Sequence, residues 1–435
     1  MTKSIPKSGV KTKVLIFAFY PKKIIMKRIL FLITLVLSCS MGRLSAQMER
    51  FEEMLPMMNA DSLRQTVLDL QSFGTRFWLH EHENGRVGNL RVAEYVASRL
   101  NAYGVQTSID SSLQEGNHWF GGPYSSMIYN VQGVMEPDGP SDSIVIIGAH
   151  LDAIATQPSG SSLMVLPNCP GADDNASGIA VMIEMARIIQ LSGLRPHHTI
   201  HFMAYDAEEY GLIGSVHDAW QRSERGDKVV LMINNDMVSY QPDDDWQLCL
   251  HWYSNALDIL PVAAELCEQY TDITPFVPSD AENGNARASD SYAYSTYGFK
   301  AIFAIEKTFS LSYHTDHDVA DSNNYDYLSH VARYNWAMLY HYAFATPTTS
   351  IGGQTATPQF LVYPNPATSS LQISVADGTH PYTVQLFDLC GKQLSTQTMD
   401  HENGNMDISE LPSGIYLLKI LSGNRTVGVQ KVVKK

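Results

Sequence analysis

The architecture of this chain is indicated most clearly by the stretch Phe202-Met203-Ala204-Tyr205-Asp206-Ala207-Glu208-Glu209-Tyr210-Gly211. It is typical of an apolar strand that ends in two adjacent carboxylates and a glycine turn. Polar groups also follow apolar runs at Gly148-Ala149-His150-Leu151-Asp152 and at Asn235-Asp236-Met237. In an α/β sheet, ligands bind beyond the carboxyl ends of the strands, so these side chains are candidates for one site.

Predicted strands and helices alternate on both sides of this stretch. The strands are predicted at residues 105–109, 127–135, 143–149, 199–205, 229–233 and 301–305, and the helices at 47–103, 177–191, 213–222, 257–270 and 325–344. This alternation predicts an α/β fold with a mixed, mostly parallel central sheet flanked by helices.

The sequence changes character after residue 345. Residues 346–358 are rich in small residues, as expected of a linker. From residue 359 to 435, short alternating segments at 371–375, 382–387, 414–420 and 426–433 predict a small β-sandwich.

The charge distribution makes nucleic acid an unlikely partner. Residues 1–46 carry nine Lys or Arg and no acidic residue, which leaves 30 − 9 = 21 basic against 45 acidic residues, or −24, in the rest of the chain. A body this acidic is not attracted to polyanions.

The start of the chain is typical of an export signal. Lys27 and Arg28 precede an apolar run at residues 29–38, and Ala46 offers a small residue for cleavage. We therefore expect residues 1–46 to be a leader that is removed. The run is too short to span a membrane, so we expect no transmembrane segment in the mature chain.

Two details of the exported chain remain open in the sequence. The signal itself begins at Met26, which is the expected start, and Cys39 is a weak candidate for lipid attachment. Export permits disulfides, so Cys249 could pair with Cys267, or both could be buried thiols.

His150 and the Glu208-Glu209 pair offer the chemistry of a hydrolytic metal site. Neutral imidazole binds zinc, and its second ring nitrogen usually donates to a carboxylate, a role open to Asp152. Adjacent glutamates point in different directions, so one can bind metal while the other accepts a proton from metal-bound water.

For two of the remaining ligand positions, the sequence offers two candidate residues each. Asp173 and Asp174 lie in a glycine-flanked turn before a predicted helix, and the pattern does not rank them. Taken alone, the motif is more typical of residues that cap that helix. Asp236 follows a strand, whereas the polar loop at residues 310–318 offers either His314 or His317.

At these residues, over roughly positions 60–345, the chain resembles the secreted co-catalytic di-zinc aminopeptidases of the bacterial leucyl aminopeptidase type. The resemblance implies a zinc exopeptidase fold for residues 47–345, two zinc ions and peptide substrates with a free N-terminus. It implies one zinc on Asp174, Glu209 and His314, the other on Asp174, His150 and Asp236, with Glu208 as general base and Asp152 orienting His150. One departure concerns the substrate pocket: Ser289-Asp290-Ser291 stands where family members often carry Ser-Asp-His.

The end of the chain resembles the C-terminal sorting domain of the type IX secretion system of Bacteroidetes. The matching pieces are Tyr363-Pro364-Asn365-Pro366, Asp388-Leu389-Cys390-Gly391-Lys392, Leu411-Pro412-Ser413-Gly414 and the basic terminus. The resemblance implies a partnership with that secretion machinery, and a protein that is released or attached to the outer-membrane surface of a Gram-negative bacterium.

Three other functions compete with the aminopeptidase interpretation. A glutaminyl-peptide cyclotransferase of the same fold would hold a single zinc. A carboxypeptidase of the same fold would need a cation for the substrate carboxylate, for which Arg287 is the candidate. A surface-binding module with an inactive site would hydrolyse nothing.

Overall fold

The computed structural model describes most of the chain. The described residues are 48–77, 88–117, 123–156, 168–345, 360–375, 381–387, 392–401, 403–422 and 425–435. Residues 48–52 belong to an N-terminal unit and are helical, and the elements below lie in the unit Glu53–Lys435. The predicted leader, with Met26 and Cys39, and the predicted linker lie outside the described residues.

An eight-stranded sheet forms the centre of the larger domain. Its strands are β1 (Gln106–Asn117), β2 (Pro123–Met135), β3 (Ser143–His150), β4 (Thr199–Tyr205), β5 (Lys228–Asn235), β6 (Gln247–Trp252), β7 (Thr274–Phe276) and β8 (Ala301–Glu306). Their spatial order is β1-β2-β4-β3-β5-β8-β6-β7, in which β4, β3, β5 and β8 run parallel. The predicted mixed, mostly parallel sheet is confirmed.

Helices flank this sheet. They are α1 (Ala60–Gln71), α2 (Gly88–Ala102), α3 (Ala176–Ser192), α4 (Ile213–Arg225), α5 (Ile259–Tyr270), the short α6 (Ser291–Thr296) and α7 (Tyr325–Leu339), which continues as a π-helical turn at Tyr340–Phe344. The expectation of helix throughout residues 47–103 is wrong, because the chain turns at Gly74, with φ 70°, and leaves helical geometry there.

The parallel strands are buried on both faces. Val145, Ile146 and Ile147 in β3 and Ile233 in β5 have no exposed surface. Strands covered by helices on both sides must be apolar along their whole length. Burial of each such side chain contributes about 1.5–3 kcal/mol, which fixes these strands in the middle of the sheet.

Helix α3 approaches the end of β5 unusually closely. The side chain of its N-cap residue, Asn175, accepts the N–H of Gly178. A Cβ atom on Gly178 would lie 2.4 Å from the backbone oxygen of Asn235, so glycine is required at this position. The approach places the turn before α3 beside the carboxyl end of β5.

Two antiparallel sheets form the C-terminal domain. Their strands are β9 (Phe360–Tyr363), β10 (Ser370–Val375), β11 (Tyr382–Phe387), β12 (Gln393–Met399), β13 (Asn403–Asp407), β14 (Gly414–Ser422) and β15 (Arg425–Lys434). The sheets have the orders β13-β10-β9 and β12-β11-β14-β15. Leu371 of the first and Leu418 of the second belong to one buried cluster, as expected of the predicted β-sandwich.

The cysteines within the described residues are thiols. Cys169, Cys249 and Cys267 are buried and form no disulfide, so the pairing of Cys249 with Cys267 is wrong. Among the described residues, no helix has both the length and the apolar character needed to cross a membrane.

Candidate metal centre

The side chains predicted to bind metal meet beyond the carboxyl ends of the parallel strands. They come from the end of β3, the turn before α3, the turn after β4, the end of β5 and the loop after β8: His150, Asp174, Glu209, Asp236 and His314. The topology explains the convergence, because parallel strands bring their carboxyl ends to the same edge of the sheet.

One half of the cluster surrounds His150. Its Nε2 atom lies 3.1 Å from Oδ1 of Asp174 and 3.2 Å from Oδ1 of Asp236. These three residues can each direct one ligand atom to a common position, with the ligand atoms all within 4.8 Å of one another. Their imidazole and carboxylate donors suit zinc.

The other half surrounds His314. Its Nε2 atom lies 2.8 Å from Oε2 of Glu209 and 3.2 Å from Oδ2 of Asp174. Asp174 therefore presents a different oxygen to each half. Tyr313 stacks on the His314 ring with 3.7 Å between ring centroids, which holds the imidazole in place.

Two buried side-chain atoms in this half of the cluster have no hydrogen-bond partner within the described part of the chain. Nε2 of His314 and Oε1 of Glu209 are buried atoms with no hydrogen-bond partner among the described residues, despite the short distance between the two side chains. Buried polar atoms left unpaired in this way are costly. Ligand atoms aimed at a shared cation would show this arrangement, so the residues fit a metal ion.

Buried carboxylates determine the charge state of the two histidines. Burial alone would lower the pKa of His314, but Glu209 and Asp174 outweigh it and raise the pKa to about 10. Burial also opposes the charged form of His150, yet Asp236 and Glu208 raise its pKa well above the ordinary value. Without a divalent cation, protons on these imidazoles neutralise the surrounding carboxylates.

Glu208 is buried, with 4 % of its surface exposed, and its carboxylate forms a third candidate metal group with His150 and Glu209. Burial raises its pKa well above the ordinary value; His150 opposes that shift, and Glu209 and Asp236 add to it. A buried carboxyl group whose pKa is raised is better able to accept a proton and return it.

Asp152 makes more contacts than its predicted role requires. Nδ1 of His150 lies 3.1 Å from its backbone oxygen and 3.4 Å from its carboxylate. The carboxylate also accepts the backbone N–H groups of Glu208, at 3.1 Å, and Glu209, at 3.2 Å. One buried side chain thus contacts the imidazole and holds the glutamate pair.

Left-handed backbone conformations occur at the site. Ala207, Met237 and His314 have φ angles of 57°, 53° and 55°. Each residue either is a candidate ligand or lies beside a candidate ligand or base. Such conformations cost non-glycine residues about 1–3 kcal/mol and concentrate at functional sites.

Three supporting residues were not predicted. Ser289 donates its hydroxyl to Oδ2 of Asp236, and Asp318 accepts backbone N–H groups from the turn that carries Asp174. Arg76 is buried behind the same turn. Of the three, only Ser289 lies in a segment that the family resemblance had linked to the substrate pocket, Ser289-Asp290-Ser291.

The competing residues lie elsewhere. The carboxylate of Asp173 turns away and accepts the N–H and the hydroxyl of Ser239 at 2.9 and 2.7 Å. The side chain of His317 is 86 % exposed, and its nearest ion-pair contact is 3.9 Å from Asp316. Neither belongs to the candidate metal groups found among the described residues.

A cavity of about 160 Å³ opens onto the candidate ligands. Its lining also contains the large apolar side chains of Met237, Phe303, Ile305, Phe309 and Tyr313. Neither Lys nor Arg is among the described residues that line it. A larger open groove of about 520 Å³ contains none of the candidate ligands, so the smaller cavity is the relevant one.

Two family models match this chain. Residues 130–339 match peptidase family M28, and residues 361–435 match the secretion system C-terminal sorting domain. The first range contains all five candidate ligands together with Glu208 and Asp152.

Curated proteins and solved structures are similar to the same part of the chain. Leucine aminopeptidase 1 of Phaeosphaeria nodorum is 27 % identical over 306 residues, covering 67 % of this chain and 72 % of that protein. An aminopeptidase from Aneurinibacillus sp. strain AM-1 has a TM-score of 0.55 at 16 % identity, covering 67 % of this chain and 96 % of the other. A glutaminyl cyclase from Bacteroides thetaiotaomicron has a TM-score of 0.52 at 20 % identity, covering 65 % and 98 %. At these identities the solved structures establish a shared fold.

Proposed function

We propose that this chain, whose residues 130–339 match peptidase family M28, is a metallo-aminopeptidase that hydrolyses N-terminal peptide bonds at a pair of zinc ions. The observation that carries the proposal is the position of Asp174. Its two carboxylate oxygens lie 3.1 Å from His150 and 3.2 Å from His314. A carboxylate between two imidazoles is suited to bridge two cations.

The proposed ligands divide into two sets that share the bridge. Asp174, Glu209 and His314 would hold one zinc, and Asp174, His150 and Asp236 would hold the other. Asp152 would keep His150 oriented through Nδ1, as outer carboxylates do for ligating histidines.

Glu208 is the proposed general base. Zinc, when bound, lowers the pKa of water and polarises a carbonyl group. Glu208 accepts a proton from the attacking water as the new C–O bond forms at the scissile carbonyl. It then returns the proton to the leaving amine as the C–N bond breaks, so the elements of one water are divided between the two products.

The cavity favours an apolar N-terminal residue. Met237, Phe303 and Ile305 would surround the first side chain, while the carboxylate cluster attracts the free amine. A carboxypeptidase would need a cation for the terminal carboxylate, but Arg287 is exposed and is not among the residues that line the cavity.

We further propose that the C-terminal domain directs type IX export. Residues 361–435 match the sorting-domain model, and the first 46 residues have the character of an export signal. The mature enzyme would be released or held on the outer surface of a Bacteroidetes-like bacterium, where it would act on external peptides.

A substrate panel combined with a metal count tests the proposed reaction. We expect zinc-loaded protein to cleave a leucyl arylamide, to leave its N-acetylated counterpart intact, and to contain two zinc ions per chain. Cyclisation of an N-terminal glutamine by protein with one zinc would favour the cyclotransferase. Cleavage of an N-acetylated peptide from its carboxyl end would favour the carboxypeptidase.

A further inference from the structure

A buried arginine lies directly behind the candidate metal centre. Arg76 has 1 % of its surface exposed and comes from the non-helical segment that follows α1. All three guanidinium nitrogens donate to backbone carbonyls: Nε to Leu151 at 3.0 Å, Nη2 to Gly171 at 2.7 Å, and Nη1 to Pro170. A planar guanidinium with five donors can satisfy several carbonyls at once, unlike an ammonium group.

These carbonyls belong to the two segments that carry His150 and Asp174. Leu151 lies between His150 and Asp152, and Pro170 and Gly171 begin the turn that leads to Asp174. One rigid side chain therefore sets the distance between the His150 segment and the Asp174 turn.

Gly171 makes this contact possible. Its φ angle is 50°, and a Cβ atom there would lie 2.6 Å from Nη2 of Arg76 and 2.4 Å from Cβ of Ala153. Any larger residue would push the guanidinium away from the turn. The position of Arg76 therefore depends on a glycine at residue 171, far away in the chain.

Asp318 holds the opposite side of the same turn. Its carboxylate accepts the N–H groups of Asp173, at 2.9 Å, and Asp174, at 3.0 Å. Asp318 follows His314 in the same loop, so it links the turn to the second half of the site. Carbonyls of the turn thus accept from a guanidinium group, and two of its N–H groups donate to a carboxyl group.

We propose that Arg76 is a positioning residue of the metal centre, which fixes the His150 segment and the Asp174 turn in the geometry that binds zinc. The inference rests on the two-zinc site proposed above. Arg76 touches neither substrate nor reacting atoms, and acts only through the backbone of the ligand segments.

The test compares R76K with R222K. Lysine keeps the positive charge at position 76 but lacks the planar guanidinium group that donates to three carbonyls at once. Arg222 is a matched control: it is equally buried, but its Nε donates to Asp218 at 2.7 Å and it contacts none of the ligand segments. Zinc affinity is measured by competition with a chelator, together with zinc content, thermal unfolding of the metal-free protein, and KM after zinc saturation.

We expect R76K to bind zinc about 10–100-fold more weakly than the parent, with KM unchanged once saturated. R222K should lose thermal stability but keep the zinc affinity of the parent. In R76A, added methylguanidinium should restore part of the zinc affinity.

Two outcomes would overturn the inference alone. The first is an R76K variant whose zinc affinity equals that of the parent or falls no further than that of R222K. The second is an R76K variant that does not fold, which would show that Arg76 is needed for folding. A parent protein that binds no zinc would remove the proposed function as well, so the two failures are distinguishable.

Discussion

Ser289 donates its hydroxyl to Oδ2 of Asp236 at 2.7 Å, which leaves Oδ1 facing Nε2 of His150 at 3.2 Å. The hydroxyl in turn accepts the side-chain amide of Asn234 at 2.6 Å. Asp236 is therefore oriented by a buried chain of hydrogen bonds rather than by its own backbone position alone. Groups of this kind adjust both the direction and the basicity of metal ligands.

Replacement of Ser289 by alanine should weaken one zinc and spare the other. S289A frees Oδ2 of Asp236, so we expect the affinity of the zinc proposed on His150, Asp174 and Asp236 to fall about 10-fold or more. Chelator titration with zinc counting would resolve the two ions. S291A is the control, because Ser291 pairs with Tyr253 at 2.9 Å instead. Equal losses in both variants would remove Ser289 from this role.

Glu208→Gln should separate metal binding from turnover. The amide cannot accept a proton, so kcat should fall about 10²–10⁴-fold while zinc content stays at the parental level. Steady-state kinetics and elemental analysis on one preparation check both. E184Q serves as control, since Glu184 is a buried carboxylate paired with Arg187. Comparable turnover in E208Q and the parent would exclude Glu208 as the base.

Asp152→Asn should disturb the glutamate pair as well as the imidazole. An asparagine has one acceptor oxygen, so its NH₂ group would face one of the N–H groups now bound by the carboxylate. We expect kcat to fall about 10–100-fold. D258N removes a carboxylate paired with Lys300 and should keep parental kinetics. A D152N enzyme with unchanged kcat would contradict this account.

Zinc binding should release protons at neutral pH. The pKa of His314 is about 10 in the metal-free protein, because Glu209 and Asp174 outweigh the effect of burial, so its imidazole is charged at pH 7. Zinc requires the neutral form, and its affinity should therefore rise with pH until the pH reaches that pKa. Calorimetry in buffers of different ionisation enthalpy measures the released protons. An apparent enthalpy independent of the buffer would contradict the prediction.

Filling the cavity should change which N-terminal residues are accepted. Ile305 lines a space of about 160 Å³, so I305F would leave too little room for a leucyl side chain. We expect kcat/KM for leucyl arylamide to fall relative to alanyl arylamide, with alanyl hydrolysis retained. Leu191 is exposed in the last turn of α3 and is not among the residues that line the cavity, so L191F is the matched control. An equal loss of kcat/KM on both substrates would show that Ile305 does not determine which N-terminal residue is accepted.

The candidate ligands could be predicted because each stands next to a recognisable local pattern. His150 and Asp236 follow apolar runs, and Glu208-Glu209 ends another. Parallel strands then bring these positions together without any further information. The choice between Asp173 and Asp174 could not be made from the pattern, because the direction of a side chain within a turn depends on contacts with Ser239 and Asp318.

The supporting residues and the minor elements were harder to predict for physical reasons. Arg76 and Asp318 act on backbone groups of segments far away in the chain, so no local spacing marks them. The strands β12 and β13 are largely polar and give no alternation of apolar residues. Strand β7 has three residues, too few for a periodic signal.

The candidate ligand set spans the chain from His150 to His314 and is assembled from five separate segments. No fragment that lacks the loop after β8 holds the full set, so we expect a truncation before His314 to bind at most one zinc. A newly made or still unfolded polypeptide would consequently be latent as a hydrolase. Hydrolytic competence would therefore arise only after these five segments have folded together.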